Sequence, residues 1–394
     1  MMLIILLILM QLGDSYCSEL YDKIQSLYLK DLLMIPMDIN LNEATVLLNS
    51  VAIPFYVIAA MAPMSRILVD YIGKKKVFLM SFCVLIAGVV TCMTTDNWLL
   101  FLLGNSLVSF GCSVDIQYIY IVDEFESNRR GTVRGILAAV AALAGMGVAF
   151  VRKISANWRL IYLTGMIVVV IIFIIMLVCL SKDKAQKKKC IKSDNKIEEK
   201  INIKEIISYL IPLLVWGIGV SGVTFYNEPL SVMILKDEKL VSQAIFVQPV
   251  VTVLTTFLSG YFSDKISRKK VIYADIVISC VGAALFMIGV PAINSNMQYI
   301  NSILTGIGWG MMIGGYFAAT NLMLLVVTEK APANKIGRVS ALSSYCNGAG
   351  NAIGMVLTSV LGNVINAGTA KLIIIIPVSM ITVIALVCLN RRTH

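Results

Sequence analysis

The sequence predicts an all-α integral membrane protein of twelve transmembrane helices in two pseudo-symmetric six-helix bundles. Three observations carry that expectation. Hydrophobic residues are 58% of the 394-residue chain and its mean hydropathy is +0.84, above the apolar share of a soluble domain. Apolar stretches of about 20 residues, the length a helix needs to cross a bilayer, recur from end to end. A charged twelve-residue segment occurs twice, as SRILVDYIGKKK at Ser65–Lys76 and SGYFSDKISRKK at Ser259–Lys270. The alternating ten-residue pattern of a barrel is not seen.

Span 1 (2–30) opens MMLIILLILM and continues through a polar second half. It lacks the basic start and small-residue cleavage site of a leader, so it reads as the first helix; a longer upstream tail stays open. On a helical wheel Asp14, Ser18, Tyr21, Gln25 and Tyr28 fall within about 80°, a polar stripe read as facing a cavity, with Asp22 at its edge. Glu19 and Lys23, one turn apart on the far side, read as a neutralising pair. Spans 2 (45–65) and 3 (77–95) flank the first charged segment. Span 4 (98–122) carries Asp115 and Gln117. The segment VDEFESNRRGTV (122–133) leads into span 5 (132–151), and span 6 (158–180) closes the first half.

Residues 181–205 hold nine lysines and five acids, a segment that cannot bury enough apolar surface to fold alone. It divides the chain into a bundle at 1–180, a linker at 181–205 and a bundle at 206–394. Span 7 (206–235) reads WGIGVSGVTFYNEPL near its end. Its Pro229 and glycines allow a break that would free backbone groups beside Asn227 and Glu228. Spans 8 (241–262) and 9 (271–291) flank the second charged segment. Span 10 (298–327) offers Trp309 and Tyr316, with Gly306, Gly310 and Gly314 as a small-residue stripe for close helix approach. VTEKAPANKIGRV (327–339) leads into span 11 (338–364), where Asn347 and Asn351 lie one turn apart, and span 12 (371–390) completes the count. With one inserted residue, Gly131 aligns with Gly337 and Val133 with Val339, a second sign of duplication. Two parallel six-helix repeats form a transporter architecture with its site between the halves.

The net charge of +10 does not indicate nucleic acid. Of the 33 Lys and Arg residues, 25 lie on the even connections, in the linker or at the C-terminus. That is the positive-inside bias; it places both termini in the cytoplasm of a plasma (cell inner) membrane protein, with some affinity for anionic lipid. The nine cysteines are scattered without ligand spacing and the one histidine is His394, so no metal site is expected and an intramembrane proton carrier must be a carboxylate. No nucleophile–base set argues for an enzyme, and no Walker loop argues for ATP.

The two charged segments carry a resemblance to the major facilitator superfamily. Its loop motif between helices 2 and 3 runs Gly, three residues, Asp, two residues, Gly and two bases, with a weaker copy between helices 8 and 9. The first copy here keeps Asp70, Gly73, Lys74 and Lys75, with Arg66 at the first glycine position. The second keeps Gly260, Asp264, Arg268 and Lys269, with Ser267 at the second. NWRLIYL (157–163) also looks like the family. The resemblance covers essentially the whole chain and implies a latch on the cytoplasmic side. In it Asp70 faces the start of span 11 and Asp264 the start of span 5, extended by Glu124, Arg130, Arg134, Glu329 and Arg338.

Departures from the family's branches narrow the expectation. Drug antiporters carry an Arg in helix 4, where Asn105 stands here, and a Gly-Pro signature in helix 5, where ILAAVAALAGMGVAF has no proline. Sugar porters carry Pro-Glu-Ser-Pro-Arg after helix 6, where SKDKAQKKK stands here. No arginine is read as mid-span, which disfavours phosphates and dicarboxylates. The expected function is secondary active transport of a small polar organic solute by alternating access, as proton symport through Asp14 and Asp115. Ser18, Tyr21, Gln25, Gln117, Asn227, Glu228, Trp309, Tyr316, Asn347 and Asn351 are candidate substrate contacts. The alternatives are an efflux antiporter for amphipathic cations and a transporter-like sensor. The solute, protons and membrane lipid are the expected partners of a monomer with no cofactor.

Overall fold

The computed structural model describes residues 2–180, 203–224, 227–288, 298–331, 336–364 and 367–391, and among them helices are the only regular structure. Most of the 181–205 linker, residues 181–202, lies outside the described residues. Span 1 is a near-continuous helical run: Met2–Lys23, Gln25–Leu29, a π-helical turn at Lys30–Met34 and Ile35–Met37. Span 2 is Leu41–Ala60 followed by a 3₁₀ segment, Ala62–Leu68, and the short helix Val69–Ile72. Spans 3, 5 and 6 are Lys74–Thr94, Arg130–Ile154 and Trp158–Cys179. Spans 8 to 12 are Glu238–Lys265, Arg268–Ile288, Gln298–Glu329, Ile336–Val364 and Ala367–Arg391.

Two spans are split. Span 4 breaks into Trp98–Ser113 and Gln117–Glu124, and span 7 into Ile203–Thr224 and Asn227–Leu235. Pro229 falls in the first turn of the latter helix, where a missing N–H leaves no intrahelical bond unmade. Seven helices among the described residues are long and apolar enough to cross a membrane by length and composition, and Tyr209–Thr224 and Ile373–Val387 are shorter apolar helices. Asn97 and Asn157 start spans 4 and 6 by accepting from Leu99 and Leu100 N–H, and from Arg159 and Leu160 N–H, satisfying donors that a helix start leaves open.

The buried apolar residues form two clusters. One runs from Leu6 to Leu180 and takes in Leu325 and Met355; the other runs from Leu213 to Leu386 and takes in Tyr118 and Ala149. The halves meet where span 5 packs against span 8 and span 2 against span 11. Inside the second half, the Gly306/Gly310/Gly314 stripe seats span 10 on span 8. A methyl group on Gly310 would come within 2.6 Å of the Gln248 carbonyl oxygen and of Val251 Cβ, so backbone itself blocks any side chain. Gly310→Leu is expected to destabilise the protein by about 1–3 kcal/mol through overpacking, read as a lower unfolding midpoint in detergent; an unchanged midpoint would mean the helices separate without penalty.

Candidate transport site and gate

The end of the molecule that carries both charged segments, the basic end, is closed by side chains that cross between the halves. Asp264, at the end of span 8, accepts from Gly131 N–H (3.0 Å), Thr132 N–H (2.6 Å) and the Thr132 hydroxyl (2.8 Å) at the start of span 5. A helix N-terminus presents free N–H groups and partial positive charge, so a carboxylate fits there. The approach needs glycine: a methyl group on Gly260 would come within 2.6 Å of both Gly131 O and Gly135 Cα. Glu329 of span 10 pairs with Arg130 (3.5 Å) and Arg268, and Arg268 also lies 3.8 Å from Asp264. Arg130 is fixed by the Phe125 and Val122 carbonyls, each at 2.8 Å.

Around the first segment, Gly73 turns the chain at φ 90°. Lys74 pairs with Asp123, and Lys75 donates to the Leu177 carbonyl (3.0 Å). Asp70 lies in Val69–Ile72, with its side chain outside the described set. Glu124, Lys269 and Arg338 are exposed.

A second layer lies deeper, at the break in span 4. Asp115 there has φ 33°, a left-handed conformation that a non-glycine residue adopts at about 1–3 kcal/mol of strain. The break frees the carbonyls of Ser113 and Val114, and Arg66 fills them, donating to Val114 O (2.5 Å) and Ser113 O (3.5 Å). The same guanidinium crosses to span 11, donating to Ser340 Oγ (2.9 Å), Ser340 O (3.3 Å) and Ser344 Oγ (2.7 Å). Beside it, Arg134 pairs with Asp115 (3.2 Å) and donates to Asn321 Oδ1 (3.0 Å), which also accepts from the Tyr118 hydroxyl (2.7 Å). Tyr118 lies under both guanidinium groups, 4.0 Å from Arg134 and 5.7 Å from Arg66.

This cluster bears on three expectations. Arg134, placed by sequence with the latch, also reaches into the core, and two arginines are buried although none was read as mid-span. Arg66 and Arg134 are 2% and 7% exposed. A sequence window registers Arg66 only as a departure from a loop motif, because the 3₁₀ turn and broken span 4 that bury it are tertiary features. Asp115, expected to carry protons with Asp14, has its charge matched by Arg134. A void of about one water molecule's size, bounded by Arg134, Gly135, Thr256, Gly260 and Asn321, lies beside the cluster.

Of the span 1 stripe, Asp14 is buried at 7% exposure and its Oδ2 accepts from Gln117 Nε2 (3.0 Å). Asp14 Oδ1 and Gln117 Oε1 are buried with no hydrogen-bond partner, and none of the described ion pairs involves Asp14. Tyr21 stacks on Tyr28 (5.5 Å), which packs on Phe101 (4.6 Å), while Gln25 is buried and Ser18 exposed. Lys23, read as merely paired with Glu19, keeps that pair (3.6 Å) but crosses between the halves as well. It bonds Gln248 of span 8 and lies 4.7 Å over the Trp309 ring.

In the second half Tyr316 stacks on Trp216 (4.5 Å) and bonds its carbonyl, and Trp216 Nε1 donates to Thr320 Oγ1 (2.9 Å). That pair is built into the bundle wall. Asn347 Oδ1, Asn351 Oδ1 and Trp309 Nε1 are buried with no hydrogen-bond partner. Asn227 donates to Val223 O (2.5 Å) and Thr224 O (3.2 Å) at the split in span 7; the Glu228 side chain lies outside the described set. Asp275 of span 9, an acid inside an apolar window that is not among the expected site residues, is 2% exposed and accepts from Ser259 Oγ (2.5 Å). No group of three or more metal-ligating side chains is present among the described residues.

Comparison with known proteins places this geometry. Residues 29–355 match the family model described as the Major Facilitator Superfamily. Among solved structures, the proton:xylose symporter XylE bound to 6-bromo-6-deoxy-D-glucose is similar at TM-score 0.73 and 12% identity, over 98% of this chain and 95% of that one. The human organic anion transporter MFSD10 (TETRAN) is similar at TM-score 0.66 and 12% identity, over 97% and 98%. The nucleoside transporter NupG is similar at 0.66 and 13%, over 99% of each chain. At these identities the likeness is one of fold. No curated protein sequence matches the chain.

Proposed function

Because the chain belongs to the major facilitator superfamily, we propose that this multi-pass membrane protein moves a small polar organic solute by alternating access, with protons as the coupling ion. The 1–180 and 206–394 bundles rock about a site between them, joined by the 181–205 linker. The basic end faces the cytoplasm of the plasma (cell inner) membrane with both termini, as the charge bias supports, and the protein acts as a monomer in contact with anionic lipid. The observation that carries the coupling is Asp14, a buried carboxylate held by Gln117 with one oxygen unpartnered and no cation among its described ion pairs. An isolated ionised carboxylate in that setting is expensive, so Asp14 favours a bound proton when closed and releases it when one side opens to water. Asp115, matched by Arg134, acts in the gate instead. The donors and acceptors of Asn347, Asn351, Gln117 and Trp309 are the contacts offered to a polar solute.

The test is a thermal-shift screen of the purified protein against polar metabolites and lipophilic cations at two pH values. A ligand at about 100 times its dissociation constant adds roughly 2.7 kcal/mol of stability. The reading expects a polar metabolite to stabilise, more strongly at low pH. Stabilisation by lipophilic cations alone would replace it with cation efflux. A polar ligand that binds but does not cross reconstituted liposomes would make the protein a sensor.

A further inference from the structure

We infer that the cluster at the break of span 4 is an anion site, and that the transported solute is a small organic acid whose carboxylate is received by Arg134, with Arg66 supplying the second positive charge beside it. The inference deepens the proton-coupled reading above and rests on it. The charge inventory carries it. Two buried guanidinium groups face one carboxylate, Asp115. Every described hydrogen-bond partner of Arg66 is neutral, being the carbonyls of Ser113, Val114 and Ser340 and the hydroxyls of Ser340 and Ser344. Among the described residues one positive charge is therefore left without a counter-ion, an arrangement that a protein interior tolerates poorly unless a ligand completes it.

The donors for such a ligand are in place. Arg134 is 7% exposed, and its Nε and Nη1 are buried with no hydrogen-bond partner. The same side chain bounds the water-sized void with Asn321. A guanidinium edge presenting two N–H groups matches a carboxylate in a bidentate pair. Span 4, span 5 and the 3₁₀ turn of span 2 come from one half and Asn321, Ser340 and Ser344 from the other. An anion bound there touches both rocking bodies, as a transported ligand must, and enlarging the void requires only that they part.

Charge balance then joins this site to Asp14. The ionisable groups described around Asp14 are Asp115 and Cys112 of span 4 and Cys17 on its own helix. With a proton on Asp14, the cluster Arg66, Arg134 and Asp115 carries one net positive charge, which one monoanion neutralises. One proton and one monocarboxylate then move together, and no net charge crosses. A dianion would leave a buried negative charge, so doubly ionised phosphates and dicarboxylates are disfavoured on this ground.

The test uses the purified full chain and paired probes: gluconate against glucitol, glucuronate against glucose and benzoate against benzamide, with sodium chloride and nitrate as inorganic controls, at pH 5.5 and 7.5. The expected result is a raised unfolding midpoint with a carboxylate and not with its neutral partner, larger at pH 5.5. Arg134→Gln should weaken that binding by about 10- to 100-fold, the loss of hydrogen bonds to a charged group. Asp115→Asn should tighten it by about tenfold, a gain that misfolding cannot imitate. The inference is overturned if no carboxylate responds, if chloride and nitrate act equally, or if Arg134→Gln binds as the parent does. A neutral probe driven into liposomes by a pH gradient would also overturn it while leaving proton-coupled transport standing. A carboxylate that binds through Arg134 but never crosses would remove the transport reading and leave the site.

Discussion

Asp264→Ala is expected to open the basic end. The carboxylate is the acceptor for two N–H groups at the start of span 5 and for the Thr132 hydroxyl. Hydrogen bonds to a charged group contribute about 1.5–3 kcal/mol each, and they are not additive. A combined loss of about 3 kcal/mol moves the ratio of closed to open molecules by roughly 100-fold. Hydrogen exchange reports this directly, because the Gly131 and Thr132 amides are themselves the donors. Peptides covering 129–134 should lose protection in Asp264→Ala, and the far end around Lys23 and Gln248 should keep it. Protection unchanged at Gly131 and Thr132 would show that the closure is carried elsewhere, with Arg66 on Ser340 and Ser344 as the next place to look.

Asp14→Asn is expected to abolish accumulation and spare exchange. Asparagine keeps the size of the side chain and a hydrogen bond to Gln117, and removes the proton site. With one proton per solute, a gradient of one pH unit supplies about 1.4 kcal/mol, or roughly tenfold accumulation. The variant should lose that factor entirely while exchange of labelled for unlabelled solute stays within a few-fold of the parent. Accumulation that persists would move the coupling role to Asp275, the other described carboxylate that is deeply buried and outside the described ion pairs.

Much of this was legible in the chain itself. Twelve apolar windows, a charge bias and two copies of one segment suffice for the fold because a membrane span must be long, apolar and helical whatever surrounds it. Asp14 and Gln117 both stood out as polar groups in apolar helices, and the structure brings them to 3.0 Å. The placement of Asp264 before Gly131 was implied by the family resemblance of the charged segments, and the structure brings the two to 3.0 Å. The arginines were not legible. Arg66 and Arg134 stand at the edges of their apolar windows, where a sequence reads topology, and only the 3₁₀ turn at Ala62–Leu68 and the left-handed residue Asp115 draw them inward. Lys23 keeps the expected pair with Glu19, while its reach across the interface was not legible. Its helical neighbour Glu19 explained its charge, and nothing in span 1 announces Gln248 or Trp309 across the interface. Asp275 was visible as an acid in an apolar window, and only its partner Ser259 needed the fold.

The most direct test of the account is to record proton and solute entry together in liposomes holding the purified protein, with a pH-reporting dye inside and a labelled solute identified by the screen outside. The account expects each solute to bring a proton in, with the ratio near one, and expects Asp14→Asn to lose the proton signal and the accumulation together. Solute accumulation with no proton entry in the parent protein would contradict it.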